Sequence, residues 1–366
     1  MIARLIRWSA NNLLLIAVGV IFVTGFGIYA VKNVPLDAIP DLSDTQVIIY
    51  TDYPGQAPQV VEDQVTYPLS TAMLSVPKSR VVRGFSFFGV SFVYVIFQDG
   101  TDIYWARSRV VEYLSAAQRN LPTGVTPTLG PDATGVGWVY QYAVVAAKRT
   151  LAELRTTQDW QVRYAVAKAE GVAEVASVGG FVKQYSIVVD PSRLRSYSIP
   201  LTKVRDAIRS SNNDVGGRVI ELAETEFMVR GRGYLRSVDD IEQIVLKEEN
   251  GASVLLKDVA RVEITPDERR GITELNGEGE AVSGIAVQRY GQNALDVIDN
   301  VKSQLEAIKS SLPDGTDIIP VYDRSELIHR AIQTLKITLI EESIIVALVC
   351  VVFLLHFRSA FVAILT

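Results

Sequence analysis

From Trp8 to Val31 the chain carries no charged side chain, and from Ile344 to Leu355 a second run is wholly apolar. The first is long enough to cross a bilayer as a helix. It is too long for a signal-peptide core, lacks an A-x-A cleavage site and meets Lys32 directly, so it reads as a retained transmembrane helix. The second is short for a span. Its helix is expected to begin near Ala331 and to stand partly clear of the membrane, with Glu341 and Glu342 at the interface. After Arg358 a third apolar run starts and stops at Thr366, so the sequence reads as the amino-terminal part of a longer polytopic protein.

Between the runs the pattern is that of a folded, water-facing domain. Residues 45–50 (TQVIIY) predict a strand, and residues 57–74 show helical spacing through Val60, Val61, Val65, Leu69 and Met73. Strands over 81–87 and 90–97 flank Phe88-Gly89 as a tight hairpin. A helix over 103–121, stopped by Pro122 and Gly124, and a strand over 126–129 complete the order β-α-β-β-α-β, a split βαβ unit of ferredoxin-like type. The pattern then starts again with a strand over 140–146, a helix over 151–169 and a strand over 172–177. Its other half comes much later, as a strand over 281–290, a helix over 294–312 and a strand over 317–322. The intervening stretch, 181–270, reads as an insertion with strands over 185–189 and 254–264, a helix over 201–210 and a Gly-punctuated hairpin over 212–234. Such a protruding hairpin is expected to reach a neighbouring subunit.

Charge orients the scheme. Arg4 and Arg7 precede the first apolar run and His356 and Arg358 follow the second, while Asp37, Asp41, Asp44, Glu341 and Glu342 lie on the other side. Both outer ends are therefore expected in the cytoplasm and the central domain outside, in a bacterium the periplasm. The one cysteine, Cys350, lies in the second apolar run, so no disulfide forms within the chain and the domain rests on its core. A net charge of −5, with no basic cluster interleaved with aromatics, argues against nucleic acid. His329 and His356 stand alone, so no Ser-His-Asp or Cys-His arrangement is available and a hydrolase reading has no nucleophile. Gly84 to Gly89 lacks the Lys-Ser/Thr of a phosphate loop.

The strings PLDAIPDLS (35–43), YPGQAP (53–58), VTYP (65–68), GTD (100–102), WARSR (105–109) and RGITELNGEG (270–279), in this order, resemble the heavy-metal branch of the resistance-nodulation-division (RND) efflux transporters. The string GPDATGVGW (130–138) resembles the branch's copper/silver members. The resemblance covers essentially the whole chain. It implies an α+β membrane protein in which transmembrane helices flank periplasmic porter subdomains of split βαβ type with an inserted docking subdomain. Its segments are a first span over 1–32, a first porter subdomain over 33–133, a second over 134–180 and 271–330, a docking subdomain over 181–270, a second span over 331–357 and the start of a third over 358–366.

The family implies a proton-driven, alternating-access pump in the bacterial inner membrane. It is a homotrimer joined to a periplasmic membrane-fusion adaptor and an outer-membrane channel, exports Cu(I) or Ag(I), and needs no cofactor. Two other readings stay beside it: a divalent-metal exporter for zinc, cobalt or cadmium, using carboxylate and histidine ligands, and a membrane-anchored periplasmic receptor. The proton-carrying carboxylates and the methionine cluster for the metal are expected beyond Thr366. In agreement, Met1, Met73, Met228 and Cys350 are far apart and form no Met-x-x-Met or Cys-x-x-Cys pair for a soft cation. Met73 reads as core filler rather than a relay, and Met228 as an interface residue rather than a metal contact. Asp37, Asp41 and Asp44 among prolines read as turn residues, and Gly25 and Gly27 as close-packing positions. Arg83 matches an arginine lining the cleft above the ion site in copper/silver members. It is the transport-path candidate here, acting by gating through a carboxylate partner, because arginine cannot ligate a cation. Its other reading is a solvated strand residue.

Overall fold

The computed structural model describes residues 8–33, 37, 39, 41–222, 224–231, 233–249, 251–269 and 271–354. Arg4, Arg7, Pro35, Pro40, Arg270, His356, Arg358 and the third apolar run lie outside them. The chain forms two compact units, one of residues 1–148, 157–178 and 281–366, the other of 149–156 and 179–280.

The first unit opens with helix α1, Leu13–Asn33. Residues 13–30 have a mean hydropathy of 2.4, and this is the one helix among the described residues found long and apolar enough to cross a membrane. Four strands follow, β1 (Gln46–Asp52), β2 (Ser79–Phe87), β3 (Val90–Phe97) and β4 (Pro127–Leu129), in an antiparallel sheet of order β2-β3-β1-β4. Their alternation decides what each face does. Val47 and Ile49 of β1 and Val93, Val95 and Phe97 of β3 point to one side, where they meet Val65, Leu69 and Met73 and, from helix α4 (Ile103–Ala117), Ala106, Val110 and Leu114. Asp102 starts α4 by accepting a hydrogen bond from the Trp105 amide at 2.7 Å.

The helix expected over 57–74 is not continuous. It runs as α2 (Pro58–Val61) and α3 (Tyr67–Met73), joined by one π-helical turn, Glu62–Thr66. The same device recurs in the second sheet's helix, where α5 (Leu151–Thr157) and α6 (Arg163–Ala167) flank the π-turn Gln158–Val162.

That second sheet is built from β5 (Trp138–Ala146), β6 (Val172–Gly179), β13 (Val282–Gln288) and β14 (Thr316–Asp323) in the order β14-β5-β13-β6. Counted within their own unit both sheets read 4-1-3-2, so the second repeats the first with its middle connection opened. Helix α11, Ala294–Ile308, covers it through Val297, Ile298, Val301 and Leu305. Directly after β14 comes α12, Arg324–Leu354, a helix of 31 residues whose apolar side chains from Leu335 onward are mostly exposed.

The second unit holds β7 (Lys183–Val189) paired with β12 (Ala260–Pro266), the hairpin β8 (Val215–Leu222) and β9 (Thr225–Gly231), and the pair β10 (Val245–Glu249) and β11 (Ala252–Leu255). Four short helices lie among them, α7 (Pro191–Ser196), α8 (Leu201–Ser211), α9 (Val238–Glu242) and α10 (Leu256–Val259), around a core that includes Leu194, Val204, Ile241, Leu246 and Leu256. The single strand expected over 254–264 is therefore broken, because α10 buries Leu256 and Val259. Every residue of β8 and β9 is exposed.

Candidate functional site

Arg83 lies on the sheet face that, among the described residues of this unit, no helix covers. In β2 the residues 83, 85 and 87 share that face with 46, 48 and 50 of β1 and 92, 94 and 96 of β3, as the pairs Arg83 with Tyr94, Phe85 with Phe92, Ile48 with Tyr94 and Tyr50 with Phe92 require. The aromatic rings interlock edge to face. Tyr50 and Phe92 lie 5.3 Å apart, Phe85 and Tyr94 5.4 Å, and Phe87 and Phe92 6.0 Å. Phe85, Phe87, Phe92 and Tyr94, with Gln46 and Ile96, floor a shallow concavity of about 480 Å³ with Arg83 in its lining. Phe85 and Phe87 remain 47% and 54% exposed, which is unusual for phenylalanines on an ordered strand. Arg83 is exposed, and among the described residues no carboxylate pairs with it.

The opposite face holds this one in place. Thr66, in the first π-turn, accepts a hydrogen bond from the Ser86 hydroxyl and donates one to Ser91, both at 2.8 Å, and Ser86 and Ser91 are themselves opposite each other across β2 and β3. A Cβ on Gly84 would stand 2.5 Å from Thr66 Cγ2 and 2.8 Å from Ser70 Oγ. Only glycine lets the helix come this close. The strand position next to Arg83 is thus clamped from behind, which fixes the sheet face on which the arginine lies.

A second groove, of about 670 Å³, runs from Tyr50 and Tyr94 past Arg107 and Asp132 to Glu174. Arg107 donates to the Gly130 carbonyl at 2.8 Å, and Asp132 takes a 3.3 Å hydrogen bond from the Tyr104 hydroxyl beside Arg289 at 3.7 Å. Burial is the main cause that raises the Tyr104 pKa, and the Asp132 charge and hydrogen bond add to it. Residues 130–132 of the string 130–138 line this groove.

The other singled-out residues are scattered. Met73 is fully buried in the core and Met228, on β9, is 83% exposed. His329 is exposed on α12. Asp37, Asp41 and Asp44 do not converge: Asp37 accepts from the Ile39 amide and from Arg324, Asp41 from the Ser43 amide, and Asp44 from Arg80. Around Gly25 and Gly27 nothing lies within 4 Å. Among the described residues no three His, Cys, Asp or Glu side chains group as a metal site. Arg324, with a side chain only 4% exposed, was not singled out by sequence pattern, and neither was the Thr66 network. The one signal for Thr66 was a polar residue beside Val65 on an otherwise apolar helix face.

Two split βαβ sheets, a unit carrying an exposed hairpin and an apolar helix at either end define an α+β architecture. Residues 5–366 match the model of the AcrB/AcrD/AcrF family, and the chain belongs to that family, the RND transporters. It is 57% identical over its whole length to the cation efflux system protein CusA of Escherichia coli K12 and 56% identical to the putative cation efflux system protein SilA of Salmonella typhimurium. It is 35% identical over 99% of its length to the cobalt-zinc-cadmium resistance protein CzcA of Cupriavidus metallidurans. In each case the chain spans 35% of the relative's length. A crystal structure of a heavy metal efflux pump superposes with a TM-score of 0.89 at 32% identity, covering 99% of this chain and 36% of that one.

Proposed function

We propose that this chain is the amino-terminal part of a proton-driven heavy-metal pump that exports Cu(I) or Ag(I) by alternating access. The observation that carries the reading is the 57% identity to a cation efflux protein over every residue of the chain, against 35% to the cobalt-zinc-cadmium protein. The string 130–138, with its copper/silver resemblance, supports the choice of a monovalent cation. On this reading α1 and the distal part of α12 cross the inner membrane of a Gram-negative bacterium, and the sheets stand in the periplasm. The 33–133 and 134–180 plus 271–330 segments act as porter subdomains and 181–270 as a docking subdomain. The pump works as a homotrimer with an adaptor and an outer-membrane channel.

Arg83 is the transport-path residue of this portion. Its guanidinium stands exposed at the edge of an apolar aromatic floor, so its pull on a carboxylate strengthens when a facing surface closes over it and excludes water. It repels a cation directly and admits one only when an acidic partner neutralises it. The role is gating, not ligation.

The test is metal tolerance in cells lacking their own copper and silver exporter. The full-length gene is expected to restore growth on copper and silver, a version stopped at Thr366 is not, and Arg83→Ala in the full-length gene is expected to weaken the rescue. Full tolerance with Arg83→Ala at normal protein level sinks the gating role, and rescue against zinc, cobalt or cadmium alone sinks the monovalent substrate.

A further inference from the structure

Arg324 is the first residue of α12 and among the most buried cations in the described chain, with 4% of its side chain exposed. Its guanidinium joins three segments that are remote in sequence. Nη1 donates to Asp37 Oδ2 at 3.0 Å, and Nη2 donates to the Val136 and Trp138 carbonyls at 2.6 and 2.8 Å. Asp37 lies just beyond the end of α1, and Trp138 opens β5, an inner strand of the second sheet. Burying a cation costs several kcal/mol unless hydrogen bonds and a counter-charge offset it. A helix that needed only to be seated would use an apolar residue here, as it does at Ile328, which is 2% exposed. The guanidinium instead supplies a planar fork that an apolar side chain or a lysine cannot reproduce.

The neighbouring residues make the same junction stiff. Asp323 caps the start of α12 through the Ser325 amide and hydroxyl at 2.9 and 2.6 Å and pairs with Lys302 of α11 at 2.5 Å. Beyond it, α12 has neither Pro nor Gly in its 31 residues, a rod of about 46 Å at ~1.5 Å per residue that has no built-in point at which to bend. Helix α1, by contrast, carries Gly19, Gly25 and Gly27. An axial displacement at the distal end of α12 therefore arrives at Arg324 undiminished, and the shortest bonds of its guanidinium are to Val136, just before β5, and to Trp138, the first residue of β5.

We propose that Arg324 is a positioning residue for transport, the clamp through which α12 moves β5 of the second sheet while Asp37 ties the exit of α1 to the same point. This rests on the pump reading given above. The clamp acts by keeping the two apolar helices and the sheet in one rigid register, so that movement in the membrane becomes movement of the sheet rather than slippage at the junction.

The experiment uses the full-length protein, freed of native cysteines and reconstituted in proteoliposomes, with spin labels at the exposed positions Ala147 and His329. Metal-dependent proton flux of the unsubstituted protein is scored first, and its absence counts against the pump reading rather than the clamp. Asp37→Asn, Arg324→Lys and Arg324→Gln are then compared, so that a folding failure in the last leaves two milder variants. Loss of a charge-assisted hydrogen bond is expected to lower turnover about tenfold in Asp37→Asn. The apparent KM for metal stays within about twofold, and the narrow distance between the two labels of one protomer, read with doubly labelled protein diluted into unlabelled protein, broadens under a proton gradient. Arg324→Lys falls between wild type and Arg324→Gln. Unchanged turnover in a folded variant overturns the proposal, as does reduced turnover with an unchanged distance distribution, or a broadened distribution with unchanged turnover.

Discussion

Gly84 shows how one residue sets the candidate site without facing it. Its missing side chain is the space that Thr66 and Ser70 occupy, and Thr66 is β-branched, buried and hydrogen-bonded twice, so it cannot swing aside. Gly84→Ala is expected to destabilise the protein by about 1–3 kcal/mol, read as a lowered thermal midpoint in detergent, whereas Ala at the exposed Arg83 next to it is expected to leave stability within about 0.5 kcal/mol. Equal losses at both positions would contradict the two-faced reading of β2. Asp323 carries a pH signature of its own. Burial is the largest influence and raises its pKa, but hydrogen bonds from Lys302 and Ser325 and the charge of Lys302 outweigh it and hold the carboxyl below its ordinary value of 3.8. A depressed folded value means that the stabilisation is present above pH 3.8 and is lost as pH falls through the lower, folded value. Asp323→Asn is therefore expected to lower the unfolding midpoint at neutral pH, with the gap to wild type closing as the pH drops below that range.

Among elements, the strands and most helices were legible because burial on one face leaves a period of two or of 3.6 in the sequence. That Arg83, Phe85 and Phe87 share a face followed from alternation alone; that no helix among the unit's described residues covers this face needed the sheet order. The π-turns at Glu62–Thr66 and Gln158–Val162 were not legible, since one extra residue in a helix shifts the apolar spacing by less than its ordinary scatter. Each nonetheless does the same job. Thr66 reaches Ser86 and Ser91, and Gln158 donates to the Tyr142 hydroxyl and Ser177 at 3.2 Å, so an extra residue turns a polar side chain onto the sheet. The break at Leu256–Val259 was not legible because the apolar run Val254-Leu255-Leu256 that leads into it fits a strand or a helix equally well. The hairpin of β8 and β9 was read from its glycines, and its uniform exposure gives it a prediction. Replacing residues 217–229 by a short Gly-Ser turn in the full-length protein is expected to leave the second unit folded, with its melting behaviour unchanged, and to lower the trimer fraction measured by light scattering. An unchanged trimer fraction would deny the hairpin a role between subunits.

At the scale of the whole molecule, a doubled 4-1-3-2 sheet pattern, a hairpin unit inserted within the second repeat and apolar helices on either side place the chain in the RND family, and the match spans residues 5–366. The Arg324 junction belongs to this scale as well. Its partners lie 287, 188 and 186 positions away, a distance over which no periodicity in the sequence carries a signal. The central claim, export of Cu(I) or Ag(I) driven by protons, is tested most directly with the purified full-length protein in proteoliposomes under an imposed pH gradient, following metal and proton movement together. Proton flux is expected to start on addition of Ag(I) or Cu(I), to stay at background with Zn(II), Co(II) or Cd(II), and to weaken with Arg83→Ala. Flux started by the divalent metals alone, or metal movement that ignores the pH gradient, would contradict that claim.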